Sequence, residues 1–276
     1  MPSNTPPTGP IHSNYVPDEI RPYKRVDNID LNAHIFLPEN PAGTRKHSVL
    51  AFFHPGGWTM GEPAWGYDLC RRYASFGMVA ISFQYRLSSI GGYTPADAIS
   101  DARSAIRWTR QQEKELNIDP DRIVAGGISA GAHLAACAAI LQGHDDNGDD
   151  LTFNPAPNAL VLQSACLNSV MIYEFSRLLQ GRDDPENCSP AHHIKPGLPP
   201  MCLIHGTADE IIPYDSIKDF TDRMLEAGNR CELHPFEGTD HFFINNPNGS
   251  RVLEIIDEFL MSLDCIDMDY PINKYT

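Results

Sequence analysis

The chain has 276 residues, of which 42% are hydrophobic and 21% are charged, and its formal net charge is −15. This composition is typical of a soluble globular protein with enough apolar residues for a large core. The excess of acidic residues argues against a nucleic-acid partner, and no apolar run approaches the roughly 18 residues of a membrane span, so we expect neither nucleic acid nor membrane as a partner.

The N-terminal residues 1–21 contain many prolines and no apolar periodicity, which predicts an extended arm. Alternating apolar residues over 23–37 predict a hairpin of edge strands. Apolar runs then alternate with amphipathic stretches, which predicts one α/β domain over 22–276, with a mostly parallel sheet covered by helices on both faces. The predicted strands are 49–54, 79–85, 123–126, 159–164, 201–205 and 231–236. The predicted helices are 67–76, 95–116, 130–141, 216–227 and 252–263.

Two segments interrupt this alternation. Residues 144–157 are rich in Asp and are predicted to form a solvated surface loop. Metal binding by this run of Asp is the alternative, although the acidic residues do not have the spacing of a calcium loop. Residues 167–199 lie between two predicted strands and are predicted to form a small cap. Within this cap segment, Tyr173 and Phe175 are candidates for lining a substrate pocket.

Ser129 is the candidate nucleophile. It lies at the centre of Gly-Ile-Ser-Ala-Gly, between a strand-like run and a helix pattern of small residues. This order of strand, sharp turn and helix is that of a nucleophile elbow, in which flanking glycines let the backbone turn tightly around a strained serine. The pattern alone is only moderately specific, so the residues that would activate the serine carry the rest of the argument.

A serine hydroxyl needs a base to accept its proton and an acid to orient that base. Asp209 and His241 follow two successive predicted strands, in the order Ser, Asp, His that accompanies a nucleophile elbow. We therefore predict that His241 is the base and Asp209 is the acid. Glu210 and Asp215 remain alternatives for the acid because they lie close to Asp209 in the sequence.

The oxyanion of a tetrahedral intermediate needs N–H donors placed in advance. Gly56 and Gly57 follow the predicted strand 49–54, and the N–H of Ala130 directly follows the nucleophile. We predict that these three N–H groups form an oxyanion hole. Trp58, next to the two glycines, is predicted to contact the substrate.

These motifs resemble the α/β-hydrolase superfamily, in particular esterases of the hormone-sensitive-lipase type and of the acetylxylan and feruloyl esterase-like type. Segments 85–87 and 101–108 extend the likeness, which covers most of residues 45–262. Relatives usually have His-Gly-Gly-Gly where this chain has Pro55, which cannot donate a hydrogen bond, but the family's donors map to Gly56 and Gly57. Ile128 stands where many lipase-like relatives have Asp, which favours the carbohydrate-esterase-like branch. His54 is expected to orient the oxyanion loop.

The function expected from these residues and this resemblance is that of a serine carboxylic-ester hydrolase with no cofactor and no metal. The resemblance implies short acyl substrates, such as acetyl or feruloyl groups on carbohydrate, cleaved through an acyl-enzyme. An amidase, a formamidase or a small peptidase would use the same triad. A non-catalytic ligand-binding protein on the same fold is the alternative from a different class.

The seven cysteines are scattered and contain no CxxC pair, which favours a reducing compartment. The first residues are polar and rich in proline, without the features of a signal peptide. A cytoplasmic location is expected, with a secreted protein whose signal has been removed as the alternative. The expected partners are a small-molecule or carbohydrate ester and a second copy of the chain in a homodimer.

Overall fold

The computed structural model describes residues 13–38, 45–242 and 249–266. At its centre is a sheet of eight strands, β1 (Glu19–Val26), β2 (Ile29–Phe36), β3 (His47–Phe53), β4 (Val79–Phe83), β5 (Ile118–Ile128), β6 (Ala159–Gln163), β7 (Met201–Gly206) and β8 (Cys231–Phe236). Their order is β1-β2-β4-β3-β5-β6-β7-β8. The β1–β2 and β2–β4 pairs are antiparallel, and all other neighbouring pairs are parallel. The predicted α/β fold with a mostly parallel sheet is confirmed.

Helices lie on both faces of this sheet: α1 (Tyr67–Ser75), α2 (Pro95–Gln111), α3 (Ala130–Ile140), α4 (Tyr173–Leu178), α5 (Tyr214–Glu226) and α6 (Gly249–Ser262). Along β3, Val49, Ala51 and Phe53 pack in one core with α2 and α3, whereas Leu50 and Phe52 pack in a second core with α1 and α6. Successive strand residues point to opposite faces, so a strand covered on both sides is apolar throughout. Among the described residues, no helix has the length and apolar character needed to cross a bilayer.

Strand β1 begins inside the segment predicted to be an extended arm. Glu19 pairs with Ile35 of β2, and the N–H of Asp18 donates to the Ile35 carbonyl at 2.8 Å. The register shifts at Pro22, which is tolerated because β1 is an edge strand. Prolines therefore hid a strand that tertiary pairing stabilises, and the predicted arm is too long at its C-terminal end. Its residues 1–12 lie outside the described residues.

Helix α2 ends at Gln111, whereas the sequence pattern predicted a helix to 116. Beyond it the chain turns: the N–H of Ile118 donates to the Glu113 carbonyl at 3.1 Å, and Asn117 has a φ of +50°. This turn feeds directly into β5 at Ile118. The apolar residues at 116 and 118 are buried by the turn and the strand rather than by a longer helix.

The acidic loop 144–157 was predicted to be a solvated surface loop, but the structure pairs part of it with buried arginines. Arg103 and Arg107 of α2 have side chains that are only 5% exposed, and both guanidinium groups lie 2.6 Å from a carboxylate oxygen of Asp145. Arg107 also contacts Asp149 at 2.8 Å. Since a buried guanidinium requires a partner, these acidic residues neutralise two arginines of the helix.

The cap segment, residues 167–199, runs between β6 and β7. Its one α-helix in this structure is α4, with six residues, and its remaining helical turns are two three-residue 3-10 segments. Phe175, Leu179 and Cys188 pack into the same core as α2 and α3. The cap segment is therefore short and docked on the body through its own apolar residues.

Candidate active site

Ser129, His241 and Asp209 meet at the carboxyl edge of the sheet, after β5, β8 and β7 respectively. Nε2 of His241 lies 2.9 Å from Oγ of Ser129, and Nδ1 of His241 lies 2.7 Å from Oδ2 of Asp209. With Nδ1–H donating to the carboxylate, Nε2 is free to accept the serine proton. His241 and Asp209 are buried, whereas Ser129 is partly exposed. The three side chains thus form one continuous chain of hydrogen bonds, and solvent or a ligand can reach it at Ser129.

The turn that presents Ser129 is strained. Ser129 has a φ of +53°, between the end of β5 at Ile128 and the start of α3 at Ala130. A non-glycine residue held in such a conformation costs about 1–3 kcal/mol and persists only where the surroundings enforce it. Here a Cβ at Gly131 would lie 2.0 Å from the Phe53 carbonyl oxygen, so only glycine allows α3 to approach β3 this closely.

Asp209 is the acid that the structure joins to His241, while the alternatives Glu210 and Asp215 are exposed. Its Oδ1 accepts the backbone N–H groups of Ile211 and Ile212, at 2.9 and 2.8 Å. Burial acts to raise the pKa of Asp209, but the hydrogen bond and charge of His241 together with the Ile212 N–H outweigh it, so that the pKa is lowered. The carboxylate is therefore ionised and held in place when it orients the imidazole.

His205 is a further residue of the site that the sequence analysis missed. Its Nε2 lies 2.9 Å from the Ile212 carbonyl oxygen and 3.3 Å from Oδ2 of Asp209. Burial lowers the pKa of His205, so the ring is neutral and donates Nε2–H to this carbonyl. It supports the turn that holds Asp209. The only sequence signal was its position at the end of a strand, four residues before Asp209.

The loop after β3 carries the predicted oxyanion donors. Gly56, Gly57 and Trp58 all have positive φ, at +132°, +57° and +60°. The N–H groups of Thr59 and Met60 both donate to the Gly56 carbonyl at 3.1 Å, which closes the loop into a tight turn. The N–H groups of Gly57 and Ala130 make no hydrogen bond to another described residue, so both are free to bind an oxygen of a ligand.

His54, at the base of this loop, is buried and stacks on Tyr85 with ring centroids 4.2 Å apart. The Tyr85 hydroxyl donates to the His54 carbonyl at 2.9 Å, and Nδ1 of His54 lies 2.8 Å from the Pro55 carbonyl oxygen. Burial lowers the pKa of His54 to about 4, so its ring is neutral. These contacts hold the loop in place. They join His54 to Pro55 and Tyr85 and not to Ser129.

Trp58 and Phe175 were predicted to contact the substrate, and the structure buries both of them. Phe175 has no exposed surface and packs on Trp58 and His133, with ring centroids 4.8 and 5.1 Å apart. The prediction is wrong for Phe175, because a ring without exposed surface cannot touch a substrate. Trp58 is 5% exposed. Tyr173, the third residue predicted to line a substrate pocket, is 80% exposed and is therefore open to solvent.

His133 links the oxyanion loop to the cap segment. The indole N–H of Trp58 donates to Nδ1 of His133 at 3.2 Å, so Nε2 carries the proton and donates to the Cys188 carbonyl at 2.8 Å. Burial lowers the pKa of His133 to about 4, which keeps the ring neutral. Sequence reasoning had placed His133 only on a helix of small residues. Its role is to hold Trp58, next to Gly57, against the cap segment.

A cavity of about 340 Å³ lies on the face of the sheet that α1 and α6 cover. Its wall is mainly apolar and includes Phe52, Trp65, Tyr73, Ile128 and Val252. None of the three triad residues lines this cavity. We therefore do not assign it to the reaction at Ser129.

We expect Gly56→Ala and Gly57→Ala to affect catalysis very differently. A Cβ at Gly56 would lie 2.0 Å from the Met60 carbonyl oxygen, so the loop must move, and we expect kcat for p-nitrophenyl butyrate to fall about 100-fold or more. A Cβ at Gly57 meets no atom within 4 Å, so this variant costs only the strain of a positive φ, about 1–2 kcal/mol, and keeps kcat within about 10-fold.

Thermal unfolding of both variants measures the strain separately from catalysis. The alanine at either position retains its N–H, so the pair compares a variant whose loop must move with one whose loop can stay in place. Equal activities for Gly56→Ala and Gly57→Ala would show that the position of this loop does not matter to the reaction.

A parallel sheet with a Ser, a His and an Asp at its carboxyl edge, and the serine on a strained turn before a helix, is the arrangement of an α/β hydrolase. The chain belongs to the alpha/beta hydrolase fold family, which matches residues 50–245. The resemblance indicated by the sequence motifs is thus confirmed.

Esterases are prominent among the known proteins similar to this chain. Apo esterase 2 of Thermogutta terrifontis is 40% identical with a TM-score of 0.86, over 90% of this chain and 96% of that one. The same esterase has been solved with propionate bound, with butyrate bound and phosphorylated by paraoxon. Isoprenylcysteine alpha-carbonyl methylesterase of Arabidopsis thaliana is 28% identical over 85% of this chain and 60% of its own length. Probable carboxylic ester hydrolase LipM of Mycobacterium tuberculosis is 26% identical over 76% of this chain and 53% of its own length.

The chain spans about half to three fifths of the length of the curated relatives that it matches. Along the Thermogutta terrifontis esterase, in contrast, the match is nearly complete. The proteins similar to this chain thus include an esterase, a methylesterase and a probable carboxylic ester hydrolase.

Proposed function

We propose that the protein is a serine carboxylic-ester hydrolase that acts on short acyl esters through an acyl-enzyme. The observation that carries this proposal is the position of His241, with one ring nitrogen 2.9 Å from the Ser129 hydroxyl and the other 2.7 Å from the Asp209 carboxylate. A hydroxyl so placed can lose its proton to the imidazole as it attacks a carbonyl carbon.

In the first half-reaction, Ser129 Oγ bonds to the ester carbon while its proton passes to His241 Nε2. The carbonyl oxygen becomes an oxyanion that accepts hydrogen bonds from the N–H groups of Gly57 and Ala130. The N–H group of Gly56 is the third predicted donor. The C–O bond to the alcohol then breaks, and His241 returns its proton to the departing alkoxide. Asp209 stabilises the imidazolium that forms between these two transfers.

In the second half-reaction, water attacks the acyl-enzyme. His241 accepts a proton from that water, a second oxyanion forms in the same hole, and the bond to Ser129 Oγ breaks as the proton returns to it. The products are a carboxylic acid and an alcohol, and the enzyme is regenerated. Every proton in the cycle moves through His241, so no metal or cofactor is needed for this step.

Two observations support a short acyl group. The cap segment contains a single six-residue α-helix in the described structure, which gives little apolar surface to cover a long chain. The Thermogutta terrifontis esterase has been solved with propionate and with butyrate bound. For the alcohol part, we propose a small alcohol or a carbohydrate, with acetyl or feruloyl as the acyl group, as the resemblance to the carbohydrate-esterase-like branch suggests.

A panel of substrates tests this proposal: p-nitrophenyl acetate, butyrate, octanoate and palmitate, acetylated xylooligosaccharide, methyl ferulate and an aryl amide. We expect kcat/KM to be highest for acetate or butyrate and at least about 10-fold lower for octanoate. Release of acetate from the oligosaccharide would support the carbohydrate assignment. Faster cleavage of the amide than of every ester would make the protein an amidase, and inertness toward the whole panel would favour a ligand-binding protein.

A further inference from the structure

Three side chains of different chemistry converge at the junction between the cap segment and the loop that follows α3. Nε2 of His144 lies 3.6 Å from Oδ2 of Asp183 and 3.7 Å from Sγ of Cys188, and Sγ of Cys188 lies 3.6 Å from the same Oδ2. These three atoms form a nearly equilateral triangle. Each is a common protein ligand of zinc.

The size of the triangle matches the face of a metal tetrahedron. With ordinary bond lengths to zinc, tetrahedral ligands lie about 3.4 Å apart for a nitrogen and oxygen pair and about 3.6 Å apart for pairs that include sulfur. The separations between these three atoms lie within about 0.2 Å of those values.

The surroundings hold the ligand atoms in place. The other carboxylate oxygen of Asp183 accepts the Asp184 N–H at 2.8 Å and the Asn187 amide at 3.1 Å, which leaves Oδ2 directed at Cys188 and His144. Outer hydrogen bonds of this kind orient the ligands in metal sites. Nε2 of His144 also lies 3.4 Å from the Asn187 carbonyl oxygen, to which it donates while its proton is on Nε2; to bind a metal, His144 must carry that proton on Nδ1 instead.

Access and charge also suit a cation. Cys188 is fully buried, while the side chains of His144 and Asp183 are 12% and 21% exposed, so the triangle lies just below the surface. We expect solvent to supply the fourth ligand. A carboxylate and a thiolate together neutralise a divalent ion. Binding displaces the thiol proton of Cys188, which is released to solvent as the metal–sulfur bond forms.

We propose that His144, Asp183 and Cys188 form a binding site for a divalent transition-metal ion of the zinc class, which ties the cap segment to the body. The site is separate from the proposed hydrolysis and takes no part in its chemistry. It adjoins that machinery through the Cys188 carbonyl, which accepts the hydrogen bond of His133. The bound ion would therefore stabilise the cap segment.

Cobalt is the probe, because Co²⁺ occupies zinc sites and gives a thiolate-to-metal charge-transfer absorption that reports a bond to cysteine. The full chain, stripped of metal by a chelator, is titrated with Co²⁺ and then with competing Zn²⁺. We expect one Co²⁺ per chain, a charge-transfer band that Zn²⁺ abolishes, and a higher Tm with Zn²⁺. The band should be absent in Cys188→Ser.

Matched variants test the other two ligands. Asp183→Asn and His144→Gln should each weaken Co²⁺ binding about 100-fold or more, because each removes a direct ligand. Asp184→Asn, which removes a neighbouring exposed charge but no ligand, should leave the affinity within about 3-fold.

No charge-transfer band at saturating Co²⁺ would overturn the proposal, as would a band that persists in Cys188→Ser. If Cys188→Ser fails to fold, the Asp183 and Asp184 pair still decides: equal weakening by both variants would mean a diffuse electrostatic effect and no site. Since the readouts are absorption and Tm, failure here leaves the proposed hydrolase function untouched.

Discussion

Ser129→Ala is expected to lower kcat/KM for p-nitrophenyl butyrate by about 10⁴-fold or more. Oγ of Ser129 is the only protein atom in this account that forms a bond to the acyl carbon, and its removal leaves only binding and the oxyanion donors to assist direct attack by water. The alanine variant should fold normally, because the Ser129 side chain contacts His241 and the elbow is held by backbone packing at Gly131.

Ser216→Ala is the matched control for this variant. Its hydroxyl donates to the Pro213 carbonyl at the start of α5 and makes no contact with the triad, so its kinetics should equal those of the wild type. Near-identical thermal unfolding of both variants would exclude a loss of fold. Retention of more than about a tenth of the wild-type kcat/KM by Ser129→Ala would rule out Ser129 as the nucleophile.

Asp209→Asn is expected to lower kcat by about 10³–10⁴-fold with little change in KM. An amide in place of the carboxylate neither stabilises the imidazolium nor requires the tautomer that carries its proton on Nδ1. The backbone N–H groups of Ile211 and Ile212 would still find an oxygen acceptor in the amide, so the turn should keep its shape.

Glu210→Gln and Asp240→Asn separate this effect from a general loss of negative charge. Glu210 is an exposed neighbour of Asp209, and Asp240 caps the N–H of Phe242 next to His241. Both variants should stay within about 3-fold of wild type, because neither carboxylate bonds to the imidazole. A large loss in Glu210→Gln together with near-normal activity in Asp209→Asn would reassign the acid of the triad.

The central sheet was largely predictable because apolar runs, and the amphipathic stretches between them, are local properties of the chain. The predicted strands 201–205 and 231–236 differ from β7 and β8 by at most one residue. Parallel strands place their following loops at a common edge, so the loops that carry Asp209 and His241 could be expected to meet there. The sequence favoured Asp209 as the acid but left Glu210 and Asp215 as alternatives in the same loop, and only the fold places one of these carboxylates, that of Asp209, against His241.

Contacts between distant segments were not predictable in the same way. His133 looked like one member of a buried helix, and only the fold brings it between Trp58 and the Cys188 carbonyl. The burial of Phe175 has the same origin, since an aromatic residue in a loop reads equally as a pocket wall or as core.

The cluster of His144, Asp183 and Cys188 has no sequence motif either. Its members come from two segments with no regular ligand spacing, and the sequence analysis accordingly expected no metal. The burial of Arg103 and Arg107 against the acidic loop is a further example, because charge alone predicts a solvated surface.

The most direct test of the account is covalent labelling by paraoxon, because a serine activated by a neighbouring base displaces p-nitrophenolate far faster than an ordinary hydroxyl does. The full chain is incubated with paraoxon and analysed by intact mass and by peptide mapping, beside Ser129→Ala and Ser216→Ala. We predict one diethylphosphoryl group per chain, located on Ser129, with complete loss of esterase activity, the same label in Ser216→Ala and no label in Ser129→Ala. An unlabelled wild type, or a label on another residue, would contradict the assignment of Ser129 as the activated nucleophile.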